Sequence, residues 1–324
     1  MSVYARDGSI LQTTYLPGVE TERSYGGFLA LIVIGANSTV FVLENADASY
    51  TPTQTGPFGE VTTLHAPDGP PALLRFSPNS SAQTYPLACA GNAASYSTGA
   101  ISPGELVTLF GTGLGREQGV APQSTLRSPY PTQAGNVEVT FDGTPAPLMW
   151  VQDAQINAVA PWSLTAGQNT QLCVSYNSVP TNCLTLPVAQ TAPGVFTVDG
   201  TYALAVNQDG TINSAGHPAP ARSIVSIWAT GLGPITPAQA DGALIDLPLP
   251  SNVLAAQVGT EMPMGFQWTK VFQPYPVTYA GPAPYLVAGE SQINFQVPSS
   301  SQDPTQLVVG STTSQFFHVQ IINP

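Results

Sequence analysis

Apolar and polar positions alternate with a period of two in many short runs of this chain, broken by glycine, proline and asparagine. That period belongs to half-buried β-strands. Glu105–Phe110, Asn136–Phe141, Leu148–Val151 and Gln155–Val159 read as such strands. Two further runs surround the turn-rich centre of LCVSYNSVPTNCLTL, and ALIVIGANSTVFVLE reads as two strands around a Gly-Ala-Asn turn. No window carries a 3.6-residue period. With 32 prolines and 30 glycines the chain is punctuated throughout, so little helix is expected.

The pattern is also written twice. LVTLFGTGLG (106–115) reappears as IVSIWATGLG (224–233), and VTFDGTPAPLMWVQDAQINAVAP (139–161) as VTYAGPAPYLVAGESQINFQVP (277–298). Asn92 in AGNAASY is echoed by Asn207 in AVNQDGT. Internal repetition at this scale predicts tandem copies of one supersecondary unit. Short strands with frequent turns make each copy a sandwich. The expected fold is therefore all-β: two tandem immunoglobulin-like β-sandwich domains, 89–196 and 197–324, preceded by a small β-sheet segment, 1–88. Gly113 to Gln155 is 42 residues and Gly231 to Gln292 is 61. The extra 19 are expected as an insertion at 241–272, in a loop where growth costs little entropy and binding function is commonly added.

The order NAASYSTGAISPGELVTLFGTGLG, TAPGVFT, NQDGTINSAGHPA, ATGLG and YAGPAPYLVAGESQINFQVP resembles the uncharacterised C-terminal domain family of Solibacter-type Acidobacteria, over residues 89–324. PGELVTLFGTGLG is also similar to the opening strand of IPT/TIG immunoglobulin-like domains. The resemblance implies an immunoglobulin-like pair, an extracytoplasmic setting at the end of a larger exported protein, and no catalytic residue. Thr260–Lys270 departs from that pattern. Thr13–Gly18, Ile34–Val42, Pro52-Thr53 and Leu73–Ser77 resemble a single bacterial β-propeller repeat. One blade cannot bury both of its faces, so this segment needs a partner.

Composition narrows the function. Charged residues are only 8%, with one lysine, Lys270, and the net charge is −12. Nucleic acid binding needs clustered cations, and none are present. No apolar run is long enough to insert in a membrane. A surface solubilised by Ser, Thr, Asn and Gln suits an extracellular or cell-surface protein, exported by a signal outside this numbering. Weak charge also gives little protection against self-association.

Candidate chemistry is sparse. Gly111–Gly115 is spaced G-x-G-x-G and is followed by Arg-Glu-Gln-Gly, so it reads as a turn rather than a phosphate loop. Asn207, Asp209 and Asn213 supply one carboxylate, too few for a calcium loop, and read as Asx-turns. His65, His217 and His318 lack metal spacing. No catalytic residue, cofactor or metal is assigned. Cys173 and Cys183 fall opposite each other in a predicted hairpin and form either a disulfide or two reduced thiols; Cys89 is left buried, free or bonded to another subunit. Trp150 and Trp228 are expected in the core, whereas Trp162 and Trp268 are the candidate surface contacts. Asn37 and Asn79 begin N-glycosylation sequons. The repeated Gln-Ile-Asn (155–157 and 292–294) reads as outward, inward, outward alternation that fixes the fold.

The expectation from sequence is a non-enzymatic extracellular structural or adhesive protein that assembles with itself into a fibre or surface layer by strand exchange. The alternatives are a carbohydrate- or surface-binding module of a larger exported protein, with polysaccharide as partner, and a C-terminal sorting domain.

Overall fold

The computed structural model describes residues 87–264, 269–299 and 304–322, together with six strands nearer the N-terminus. The chain divides into two compact units, Met1–Tyr85 and Pro86–Pro324. In the first unit β1 (Ser2–Tyr4) pairs β2 (Ile10–Thr13). A four-stranded antiparallel sheet holds β3 (Leu31–Ile34), β4 (Val40–Glu44), β5 (Val61–Leu64) and β6 (Ala72–Phe76) in the order β3-β4-β6-β5.

The second unit contains two sandwiches. The first is built from β7 (Leu87–Asn92), β8 (Leu106–Gly111), β9 (Gln133–Ala134), β10 (Val137–Phe141), β11 (Thr144–Pro145), β12 (Leu148–Val151), β13 (Gln155–Val159), β14 (Asn169–Tyr176) and β15 (Val179–Pro187). One sheet has the order β12-β13-β8-β7; the other is β11-β10-β14-β15, with β9 on β10. Alternation decides what lies between them. Val137, Val139 and Phe141 of β10 face Val107, Leu109 and Ile156 of the opposite sheet in one buried cluster. Each such side chain contributes roughly 1.5–3 kcal/mol by leaving water.

The second sandwich repeats the plan with β16 (Gly194–Val195), β17 (Ala205–Asn207), β18 (Ile224–Thr230), β19 (Ile235–Thr236), β20 (Ser251–Asn252), β21 (Ala256–Met264), β22 (Thr269–Pro274), β23 (Val277–Pro282), β24 (Glu290–Gln296), β25 (Thr305–Val309) and β26 (Thr312–Thr313). Its sheets are β16-β18-β24-β23, with β17 on β18, and β22-β21-β25-β26. β19 and β20 pair separately. Val225, Ile227, Ile293, Phe295, Leu307 and Phe317 fill its core.

Strand partners correct the reading of the echo. Val139–Phe141 lies in β10 beside β14, whereas the matching letters Val277–Tyr279 lie in β23 beside β24. The true counterpart of β23 is β12, and that of β10 is β21. Counted this way, Gly113 to Val137 spans 24 positions and Gly231 to Ala256 spans 25. The added length therefore falls within 256–292, in the β21–β22 hairpin and the loop after β23, and not across 241–272. Asp241–Asn252 takes the place of the proline-rich loop of the first copy.

That loop instead ties the copies together. Asp241 Oδ1 accepts the Trp162 N–H at 2.8 Å, and Gly242 O accepts the Tyr130 N–H at 2.9 Å. Leu106, Val159 and Val287 form a buried cluster with Phe196, Leu244 and Met149 packed on it. The Leu106 N–H donates to Thr230 Oγ1 at 2.8 Å, and that hydroxyl donates to Gly289 O at 2.8 Å. Gly289 has φ +118, and a Cβ there would strike the Gly104 carbonyl. Only glycine allows so close an approach of the two backbones.

Candidate functional site

β8 and β13 alternate, so residues between the core positions point away from the sandwich. Leu109 and Ile156 are buried, while Phe110, Gln155 and Asn157 are half-buried on the opposite face. Register places Gln155 beside Phe110, Asn157 beside Thr108, and Trp150 of β12 beside Asn157 on its other flank. Gln155 Nε2 donates to Asn157 Oδ1 at 2.9 Å, and Thr108 Oγ1 donates to the same oxygen at 3.2 Å. The Tyr96 ring, 61% exposed, sits 5.9 Å from that of Phe110.

The second copy builds the same array from β18, β23 and β24. Gln292 lies beside Trp228, Asn294 beside Ser226, and Tyr279 beside Asn294. Gln292 Nε2 donates to Asn294 Oδ1 at 2.8 Å. Trp228 thus stands where Phe110 stands, Tyr279 where Trp150 stands, and Ser226 where Thr108 stands. Tyr279 donates its hydroxyl to Pro282 O at 2.7 Å, which fixes the ring; burial raises its pKa.

Each face is a ladder of two amides with an aromatic at each flank and a hydroxyl beside the Asn. The Gln–Asn bond orients both amides. It leaves the Asn Nδ2 donors and the Gln Oε1 acceptors unengaged among the described residues. Aromatic rings present apolar faces and amides present paired donors and acceptors. No charged side chain stands among these amides, hydroxyls and aromatics. Such a surface matches an uncharged ligand that carries hydroxyls on one side and C–H groups on the other.

Charge enters only towards the junction. Glu105 is fully buried, and burial lifts its pKa to about 8 despite hydrogen bonds from the Ser102 N–H (2.6 Å), the Ser102 hydroxyl and Asn92 Nδ2 (2.9 Å). Asn92 Nδ2 also reaches Ala192 O, so this carboxyl is linked to the segment that enters the second copy. Glu290, paired with Thr230 at the inner end of β24, is raised to about 7, again by burial.

The structure redistributes the residues expected from sequence. Trp150 and Trp228, expected in the core, are half-buried on the outward faces, because the core positions of β12 and β18 fall to Leu148, Val151, Ile227 and Ala229. Trp162, expected as a surface contact, is half-buried at the junction, packed with Ile235, Ile245 and Ala288. Cys173 and Cys183 are joined across β14 and β15 by a disulfide, with Cα atoms 4.3 Å apart. Cys89 is a half-buried free thiol whose pKa burial raises. Trp268, Asn37, Asn79 and His65 lie outside the described residues.

Asn207, Asp209 and Asn213 form turns and ties. Asp209 caps Thr211, while Asn213 bonds Asn207 and Gln320. His217 and His318 sit apart, the latter ringed against Tyr202 at 5.8 Å. Among the described residues no group of three or more His, Cys, Asp or Glu could hold a metal ion. Gln-Ile-Asn alternates as outward, inward, outward in both copies. Its flanking aromatics are missed by sequence reading, since they arrive from neighbouring strands; the single clue is the echo of Phe110 by Trp228.

No curated protein matches the sequence. Among solved structures, the surface glycan-binding protein PbSGBP-B from Prevotella bryantii is 12% identical, covering 72% of this chain and 41% of its own, with a TM-score of 0.22. Gamma-CGTase from alkalophilic Bacillus clarkii is 11% identical, covering 89% and 37%, at 0.23. The plexin A4 extracellular region is 11% identical, covering 94% and 25%, at 0.21. The chain thus spans well under half the length of each, and likeness this slight carries no argument about function. The propeller-like segment and the Solibacter-type family find no counterpart in these comparisons. The sequence match lies in the tandem sandwiches: an IPT/TIG immunoglobulin-like domain is found at residues 93–216.

Proposed function

We propose that this is a non-enzymatic, extracellular carbohydrate-binding module that holds a neutral polysaccharide on its two outward sheet faces. The observation that carries the reading is the recurrence of one constellation in both copies: Gln155, Asn157, Phe110 and Trp150, and Gln292, Asn294, Trp228 and Tyr279. Fold specification alone accounts for the buried Ile156 and Ile293. It does not require aromatic residues at both flanks of an oriented amide pair on the solvent side. Sugar rings offer C–H faces to stack on aromatics and hydroxyls to bridge amides, and the net charge of −12 disfavours acidic polymers. The resemblance of residues 89–324 to C-terminal domains supports a place at the end of a larger exported protein.

Electrophoresis through gels containing soluble neutral polysaccharides (mixed-linkage glucan, xyloglucan, galactomannan) tests this. The protein is expected to be retarded in at least one of them and not in polygalacturonate. Trp150→Ala and Trp228→Ala should each weaken retardation, the double variant should abolish it, and Trp228→Phe should keep most of it. Unchanged mobility of the double variant in the retarding gel would refute the assignment.

Self-assembly by strand exchange is the second reading. Its physical basis is β22, which pairs only with β21 among the described residues, and the end of β21 beyond Thr260, which β25 does not cover. Met262 and Val271 face each other there and are 44% and 43% exposed. An open apolar edge of this kind accepts an added strand. Sedimentation decides: a fibre-former grows with concentration, and a monomer at all concentrations rules this reading out.

A further inference from the structure

The two ladders are related in a way that the recurrence alone does not require. In the first copy the outward rows of β8 and β13 run from Phe110/Gln155 through Thr108/Asn157 to Leu106/Val159. The last pair is buried beneath the second copy, in contact with Phe196 and Val287. In the second copy the rows start at the junction with Thr230/Glu290 and proceed outward through Trp228/Gln292 to Ser226/Asn294. The two inner ends touch, since the Leu106 N–H donates to Thr230 Oγ1. Phe196, which packs on Leu106 and Val159, donates its own N–H to Trp228 O, so it borders the second ladder as well.

Along this path the order of side chains is Gln155, Asn157, junction, Gln292, Asn294. The copies therefore stand head to tail, and the same sequence of groups is met twice in the same direction. Successive rows on one face of a strand are about 7 Å apart, so one row from each copy, Leu106/Val159 and Thr230/Glu290, separates the ladders. A ligand spans these largely buried rows over Phe196, which borders both ladders. The bridge is uncharged except for Glu290, which burial keeps largely protonated below pH 7. Backbone and side-chain bonds hold the junction from both edges, at Asn92 with Ala192 and at Trp162 with Asp241.

From this head-to-tail order we infer that the two ladders act as one site, taking a single extended run of a directional, repeating neutral glycan across the junction rather than two separate chain ends. The inference rests on the carbohydrate-binding reading and adds to it the length and internal placement of the ligand. Because the second ladder is then engaged intramolecularly, a chain long enough to reach both gains affinity by effective concentration, without new contacts.

Isothermal titration with graded oligosaccharides of mixed-linkage glucan tests the inference on the unmodified protein. Short fragments should bind weakly with two per chain. Above a threshold length the stoichiometry should fall to one and the affinity should rise by about 100-fold or more. Trp150→Ala or Trp228→Ala alone should return the long fragments to the affinity of short ones. Long fragments that still bind two per chain at the short-fragment affinity would overturn the single-site inference and leave the carbohydrate reading standing. Failure of every length to bind, in this and the other neutral series, would remove both.

Discussion

At the scale of single residues, Glu105 is the most exacting demand among the described residues. It is fully buried, its partners are Asn92 and Ser102, and no charged group contributes to its shift. Its folded pKa of about 8 lies above the ordinary carboxyl value of 4.5, so the folded state holds a proton that the unfolded chain releases. The associated stability is complete below pH 4.5 and is lost as pH rises through 8; Glu290 adds a smaller effect of the same sign up to about pH 7. Urea denaturation midpoints should therefore fall between pH 5 and pH 8. Glu105→Gln should flatten that slope while lowering stability at pH 5, because an amide donor would confront the Ser102 N–H. A slope unchanged by the substitution would show that general charge repulsion is responsible. Glu105 was legible in the sequence only as the polar start of a strand. Its partner Asn92 is in turn held by the Ala192 carbonyl, a hundred residues further along the chain than Asn92. The facing positions of Cys173 and Cys183, by contrast, follow from ten residues of local pattern, which left disulfide and reduced thiols both open; the structure has the disulfide.

At the scale of elements, the β14–β15 hairpin shows local information at its strongest. Two alternating runs around a turn bring the cysteines into register. Because the bridge closes a short loop, Cys173→Ser with Cys183→Ser should cost about 2–3 kcal/mol in urea denaturation, with glycan retardation unaffected since the hairpin lies in the other sheet. Loss of binding in that variant would place the site elsewhere. The ladders show the opposite limit. Gln-Ile-Asn announces its own alternation, but each ladder takes its members from three strands, and register between strands is not written in any one of them. For the same reason the echo of VTFDG by VTYAG misleads. Similar turn and strand letters serve β10 in one copy and β23 in the other, which moved the apparent insertion from 256–292 to 241–272.

At the scale of the whole molecule, tandem sandwiches in an all-β chain were readable from repetition, period and turn spacing. The junction was not, because Leu106, Val159 and Phe196 look like ordinary strand residues until two copies meet. That contact turns two faces into one path, and it is the path that gives the repetition a use. The four tryptophans provide reporters for this account, since each has one indole N–H: Trp150 and Trp228 on the ladders, Trp162 in the junction packing, and Trp268, which lies between β21 and β22 in sequence. In a nitrogen–proton correlation spectrum recorded while a retarding neutral polysaccharide fragment is added, the Trp150 and Trp228 indole signals should shift together and saturably, with Trp162 held still. Indole signals of Trp150 and Trp228 that stay in place at saturation, or movement of Trp268 alone, would contradict the ladders as the binding surface.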